Sequence, residues 1–96
     1  MTFQNNLKGY KLVLKESAQK DLGQIDPLIA HAIEKKLQAL VLGATNLDIK
    51  KMADCAVPTY RLRHGDYRAI YEVYKNEIIV LVVRIGHRQS IYKRFR

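Results

Sequence analysis

Ninety-six residues are enough for one hydrophobic core and too few for two, so residues 1–96 are read as a single domain with any site on its surface. Seventeen Lys and Arg against nine Asp and Glu give a formal net charge of +8, a balance that points to a polyanion or an acidic protein as partner, with plain solubility as the alternative. The single cysteine, Cys55, excludes an intramolecular disulfide, a four-cysteine zinc site and a CxxC redox pair, and it fits a reducing compartment.

Met1 to Lys11 holds no continuous apolar segment of the secretory kind, and no run approaches the ~18 apolar residues of a membrane span, so a soluble, unprocessed, cytoplasmic protein without membrane contact is expected. Tyr10 to Leu14 reads as a short first strand. From Glu16 to Ile25 the positions Ala18, Leu22 and Ile25 recur at helical spacing, with Gly23 weakening the end. Asp26-Pro27 starts a second helix, because Asp accepts from the free amides of the first turn and Pro is tolerated at the first helical position. Ile29, Ile33, Leu37 and Leu40 give that helix, roughly Pro27 to Leu42, an apolar stripe that needs a sheet to cover it, and Gly43 stops it.

Ala44 to Pro58 has no clear period and is expected to be an irregular surface connection. Thr59 to His64, Tyr67 to Tyr74 and Glu77 to Ile85 are rich in Tyr, Val and Ile and are punctuated by Gly65-Asp66 and Lys75-Asn76, the pattern of two hairpins forming an antiparallel meander. The third of these strands is apolar on both faces and belongs in the sheet interior. The polar segment after Gly86 is expected to form one helical turn. The fold class is therefore α+β.

A two-residue turn at Gly65-Asp66, with Gly at the first position as type II′ requires, sets Arg63 opposite Arg68 and Arg61 opposite Ile70. The strand period of two then puts Arg61, Arg63 and Arg68 on one face. Like charges directly opposite each other destabilise a sheet by roughly 0.2–1 kcal/mol, so a bound polyanion is the natural compensation. Splayed, solvated side chains, or pairing with Asp66 and Glu72, are the structural alternative. The tail adds Arg84, His87, Arg88, Tyr92, Lys93, Arg94 and Arg96. Arginine's planar fork suits phosphate at every physiological pH, and tyrosine stacks on an exposed base. His87 is a candidate proton donor or acceptor, whereas His31 and His64 fit surface or structural roles better. No HExxH, EF-hand, GxGxxG, GxxxxGK[ST] or GxSxG motif occurs, and Cys55 has no evident base partner.

The run Tyr60-Arg61-Leu62-Arg63-His64-Gly65-Asp66-Tyr67-Arg68-Ala69-Ile70-Tyr71-Glu72-Val73, followed by Val83-Arg84-Ile85-Gly86-His87-Arg88 and Ile91-Tyr92, resembles the signature of the RelE/ParE toxin superfamily. Ala18-Gln19-Lys20-Asp21-Leu22 is similar to that family's first-helix pattern, so the likeness runs through nearly the whole chain. The resemblance implies an N-terminal strand, a helical hairpin and an antiparallel sheet with a concave basic face, that is, a single RelE-like toxin domain. It implies an antitoxin that masks that face, an antitoxin-mediated complex with operator DNA, and ribosome-dependent mRNA cleavage with no metal and no dissociable cofactor. By position, Arg61 and Arg63 match the basic pair of the first hairpin strand, Arg68 the arginine that braces the phosphate, Arg88 the arginine after the Gly-His step, and Tyr92 the base-stacking tyrosine. His87 joins this catalytic set, and Lys50, Lys51, Arg84, Lys93 and Arg94 are the accompanying RNA-binding candidates. Some family members carry lysine where Arg61 and Arg63 stand, and arginine, never deprotonated, does not act as a conventional general base. Two other readings remain open: a ParE-like protein that inhibits DNA gyrase by binding alone, and a non-toxic member that only binds its antitoxin.

Overall fold

The computed structural model describes residues 6–95, which build an α+β fold from β1 (Lys11–Leu14), α1 (Glu16–Gly23), α2 (Pro27–Val41), β2 (Ile49–Lys51), β3 (Thr59–His64), β4 (Tyr67–Tyr74), β5 (Ile79–His87) and α3 (Ile91–Phe95). The second helix starts as its sequence dictates. Asp26 Oδ1 accepts from the Leu28 amide at 2.9 Å and Pro27 occupies the first turn, where its missing N–H costs nothing. Ala30, Ile33, Leu37 and Leu40 form its buried stripe, with Ile29 at the margin. Gly43, at φ +92°, takes the left-handed conformation that leads the chain away from the helix end. The first helix ends at Gly23, so Ile25 lies beyond it in the connection to α2.

The five strands lie in the order β1-β5-β4-β3-β2. The antiparallel β3-β4-β5 meander has the expected order, and β5 is internal, which explains its apolar character on both faces. β1 joins β5 in parallel, with Leu12 opposite Val80; the chain between them crosses the sheet through the α1–α2 hairpin to the far edge and returns through β2, β3 and β4. Two expectations are corrected. The connection from Ala44 to Pro58 contains β2, so Lys50 and Lys51 stand on an edge strand, opposite Arg61 and Tyr60. β5 begins at Ile79 and runs to His87, because residues 75–78 form the turn and Ile78 sits in a left-handed conformation at φ +56°.

The two faces of the sheet bury different things. On the helix side, Ile33, Leu37, Leu40 and Ala18 pack against Leu62, Ala69, Tyr71, Val73, Val80, Val82 and Ile85. On the other side Ile70, Val83 and Ile91 make a smaller cluster, edged by Met52, Leu81 and Tyr92, that anchors α3. Tyr71 pairs with Val82 whereas Ile70 pairs with Arg84, so Val83 is an extra residue, a bulge in β5.

Candidate nucleic-acid interface

The β3–β4 turn organises the cations. His64 pairs with Tyr67, Arg63 with Arg68 and Arg61 with Ile70, and Gly65 has φ +58°, so the two-residue turn and its register are as the sequence dictates. Arg61, Arg63 and Arg68 therefore share the face opposite the helices, since their neighbours Leu62 and Ala69 point into the helix-side core.

Repulsion between the opposed guanidiniums is met by a shared acceptor. Arg68 Nη1 donates to the Gly65 carbonyl at 2.9 Å, and Arg63 Nε donates to the same oxygen at 3.2 Å. Arg68 is 7% exposed and its Nη1 also donates to Tyr67 O at 3.0 Å, while its buried Nε has no partner among the described residues. Gly86, itself buried, stands directly across from Arg68 on β5. Arg68 is thus a brace from below, whereas Arg63 is half exposed and its Nη1 lies 3.6 Å from Asp48 Oδ2.

Two further groups converge from the C-terminal segment. Tyr92, on α3 and packed on the small cluster, accepts at its hydroxyl oxygen from Arg61 Nη1 at 3.2 Å. The Arg88 amide donates to Asp66 O at 2.8 Å and its Nε lies 3.5 Å from Asp66 Oδ1, which ties the end of β5 to the β3–β4 turn. Asp66 thus pairs with Arg88 rather than with the hairpin arginines, and Glu72 instead accepts from the Tyr74 hydroxyl at 2.8 Å.

His87 faces elsewhere. It pairs with Tyr67, whose ring borders the helix-side core, and the two rings meet edge to face at 5.6 Å. His87 Nδ1 accepts from the Gln89 amide at 3.2 Å, so in the neutral ring the proton sits on Nε2. Arg84 is engaged by α1: its Nη2 donates to Asp21 Oδ1 at 3.1 Å, with Nε 3.1 Å from Asp21 Oδ2. Lys50, opposite Arg61, lies on the arginine face, whereas Lys51, opposite Tyr60, is turned by the strand period to the helix side; Lys93 is exposed on α3, and the expectation for Arg94 falls on a side chain outside the described ones, as does that for Arg96.

The family model for the ParE toxin of type II toxin–antitoxin systems matches residues 12–92. The chain belongs to that family, within the RelE/ParE superfamily. Its fold is similar to a chain of the RelB–RelE antitoxin–toxin complex from Methanococcus jannaschii, at 28% identity and a TM-score of 0.70, covering 88% of this chain and 99% of that one. The toxin–antitoxin complex RelBE2 of Mycobacterium tuberculosis contains a similar chain at 22% identity and a TM-score of 0.73, covering 88% and 97%. The isolated E. coli RelE toxin matches at 20% identity and a TM-score of 0.64, covering 92% and 100%. Comparison with curated protein sequences returns no match. The protein is a toxin of a type II toxin–antitoxin system.

Within this toxin fold, the acidic counter-ions are what sequence reasoning missed. Asp48 precedes β2 and meets Arg63 only because the edge strand folds back, and Asp21 meets Arg84 across 63 positions. Asp21 was visible only as part of the first-helix pattern. No helix among the described residues is long and apolar enough to cross a membrane.

Proposed function

We propose that this toxin is a ribosome-dependent mRNA endoribonuclease, with the RNA strand lying on the face that carries Arg61, Arg63, Arg68, Arg88 and Tyr92. The observation that carries the reading is the meeting of Arg63 and Arg68 on a single carbonyl oxygen, with Arg61 and Arg88 brought in beside them by Tyr92 and Asp66. A sheet under selection for stability alone has no use for this crowding, and a phosphodiester relieves it. The antitoxins in the complexes of similar chains support a cognate antitoxin as the protein partner.

In the proposed reaction the ribose 2′-oxygen attacks the adjacent phosphorus. The P–O2′ bond forms, the P–O5′ bond breaks, and the products are a 2′,3′-cyclic phosphate and a 5′-hydroxyl. Arg63 and Arg88, both half exposed, stabilise the charge building on the non-bridging oxygens, and buried Arg68 holds the turn that presents them. Arginines take no proton here, so the 2′-hydroxyl proton leaves to water. Because the Tyr92 oxygen accepts from Arg61, its O–H remains free to donate to the departing 5′-oxygen while the ring stacks on a base. His87, set against Tyr67 on the helix-side face and away from the arginines, is assigned no proton transfer. Lys50, opposite Arg61, and Lys93 extend the phosphate track in a reducing cytoplasm.

A second reading has its own support, since the matching family model is that of ParE toxins: inhibition of DNA gyrase by binding alone. Primer extension on translated mRNA after induction separates the two. Discrete cuts in phase with the reading frame are expected. Intact messages together with early DNA damage would replace the nuclease reading with the gyrase one.

A further inference from the structure

β1 ends at Leu14, opposite Val82, and the last backbone bond on that side runs from the Lys15 amide to Val82 O at 2.9 Å. Beyond this point β5 has no strand beside it, so its carbonyls and amides on that edge need other partners. Helix α1 provides them from two positions four apart, on one helical face. Ser17 Oγ donates to Val83 O at 2.7 Å, and the Ile85 amide donates to Asp21 Oδ2 at 2.9 Å. Asp21, 5% exposed, also holds Arg84 through its Oδ1. Of the three residues gripped by α1, Val83 is the bulge itself, and Arg84 and Ile85 are the two paired residues that follow it.

The bulge decides which way the end of β5 faces. Val80 and Val82 point to the helices and Leu81 and Val83 to the opposite cluster, so strict alternation would send Arg84 into the helix-side core and Ile85 out of it. The extra residue at Val83 resets the phase. Ile85 enters the core opposite Ala69, Gly86 falls opposite Arg68, and the chain reaches Asp66 with Arg88 in bonding distance.

We propose that Ser17 and Asp21 are positioning residues for the arginine face: by fixing the bulge from α1 they set the phase in which β5 delivers Arg88 to the β3–β4 turn. The link to RNA cleavage rests on the function proposed above, whereas the link to the placement of Arg88 does not.

The test compares Ser17→Ala and Asp21→Asn with the unaltered full chain under conditions where circular dichroism finds all of them folded. Two amides report by hydrogen exchange: Arg88, bonded to Asp66 O, and Val73, bonded to Pro58 O at the far end of the meander. The expected result is exchange at Arg88 at least tenfold faster with Val73 unchanged, and at least fivefold weaker binding of a single-stranded RNA oligomer. Ser17→Thr, which keeps the hydroxyl, restores both. Equal acceleration at the two amides, or none at either, overturns the proposal, because a merely stabilising contact has no reason to act selectively at Arg88. If the unaltered chain binds no RNA oligomer and cuts no message, the nuclease reading falls, and the exchange comparison still decides whether α1 sets the position of Arg88.

Discussion

The two faces of the sheet are held together by different physics. The helix-side face is continuous apolar packing, in which Leu37, Leu40, Leu62, Val80 and Val82 are fully buried and any methylene removed leaves a void. The opposite face has only a small cluster beneath α3 and is otherwise ordered by polar contacts among cations, two carbonyls and the carboxylates of Asp48 and Asp66. Exposed ion pairs of that kind contribute about 0–1 kcal/mol each, so the arginine face adds little to stability. Stability and recognition are therefore separable by mutation, one face at a time.

The sharpest break comes from the packed face. Leu37→Ala should lower unfolding stability by about 2–5 kcal/mol, read by urea titration, while the fraction that stays folded binds RNA as before. A loss of affinity per folded molecule would mean that the faces are not independent. The next largest effect is on the other side. Arg63→Ala combined with Arg88→Ala should weaken RNA binding by tenfold or more, about 1.4 kcal/mol, and reduce the slope of log affinity against log salt by about 1.4, the share of two phosphates on a single strand. Its unfolding midpoint should stay within about 0.5 kcal/mol of the parent, since neither side chain is buried.

The smallest effect lies on the helix side at the end of β3, at His64. Burial, and then the nearby charge of Lys36, lower its pKa below the ordinary 6.5, and its Nδ1 is buried without a partner among the described residues. The unfolded chain thus binds this proton more readily than the folded one, so the resulting stabilisation is whole above pH 6.5 and is lost as pH falls through the folded value. Denaturation at pH 7.5 and at pH 5 should register this drop, and His64→Gln should flatten it.

Local chemistry was legible from the residues, and long-range pairing was not. Asp26-Pro27 and Gly65-Asp66 each fix a backbone conformation through their own atoms, and both the helix start and the hairpin register followed from them. β2 escaped notice because three residues, two of them lysines, show neither alternation nor strong strand preference. The start of β5 was misplaced because Ile78, a strand-favouring residue by composition, occupies a left-handed turn position. Ile79 to Val83 is uniformly apolar, so the pattern carries no phase and hides the bulge. The arginine cluster was visible up to Arg68, but the separation of His87 from it depends on that hidden phase.

The sheet's outer margin at β2 carries one more consequence. An unpaired strand invites the same segment of another molecule to add on, and repeated addition ends in fibres. Here the margin is only three residues long and two of them, Lys50 and Lys51, are exposed cations, so stacking a second copy there would set lysines against lysines. These two side chains thus oppose edge-to-edge addition along β2.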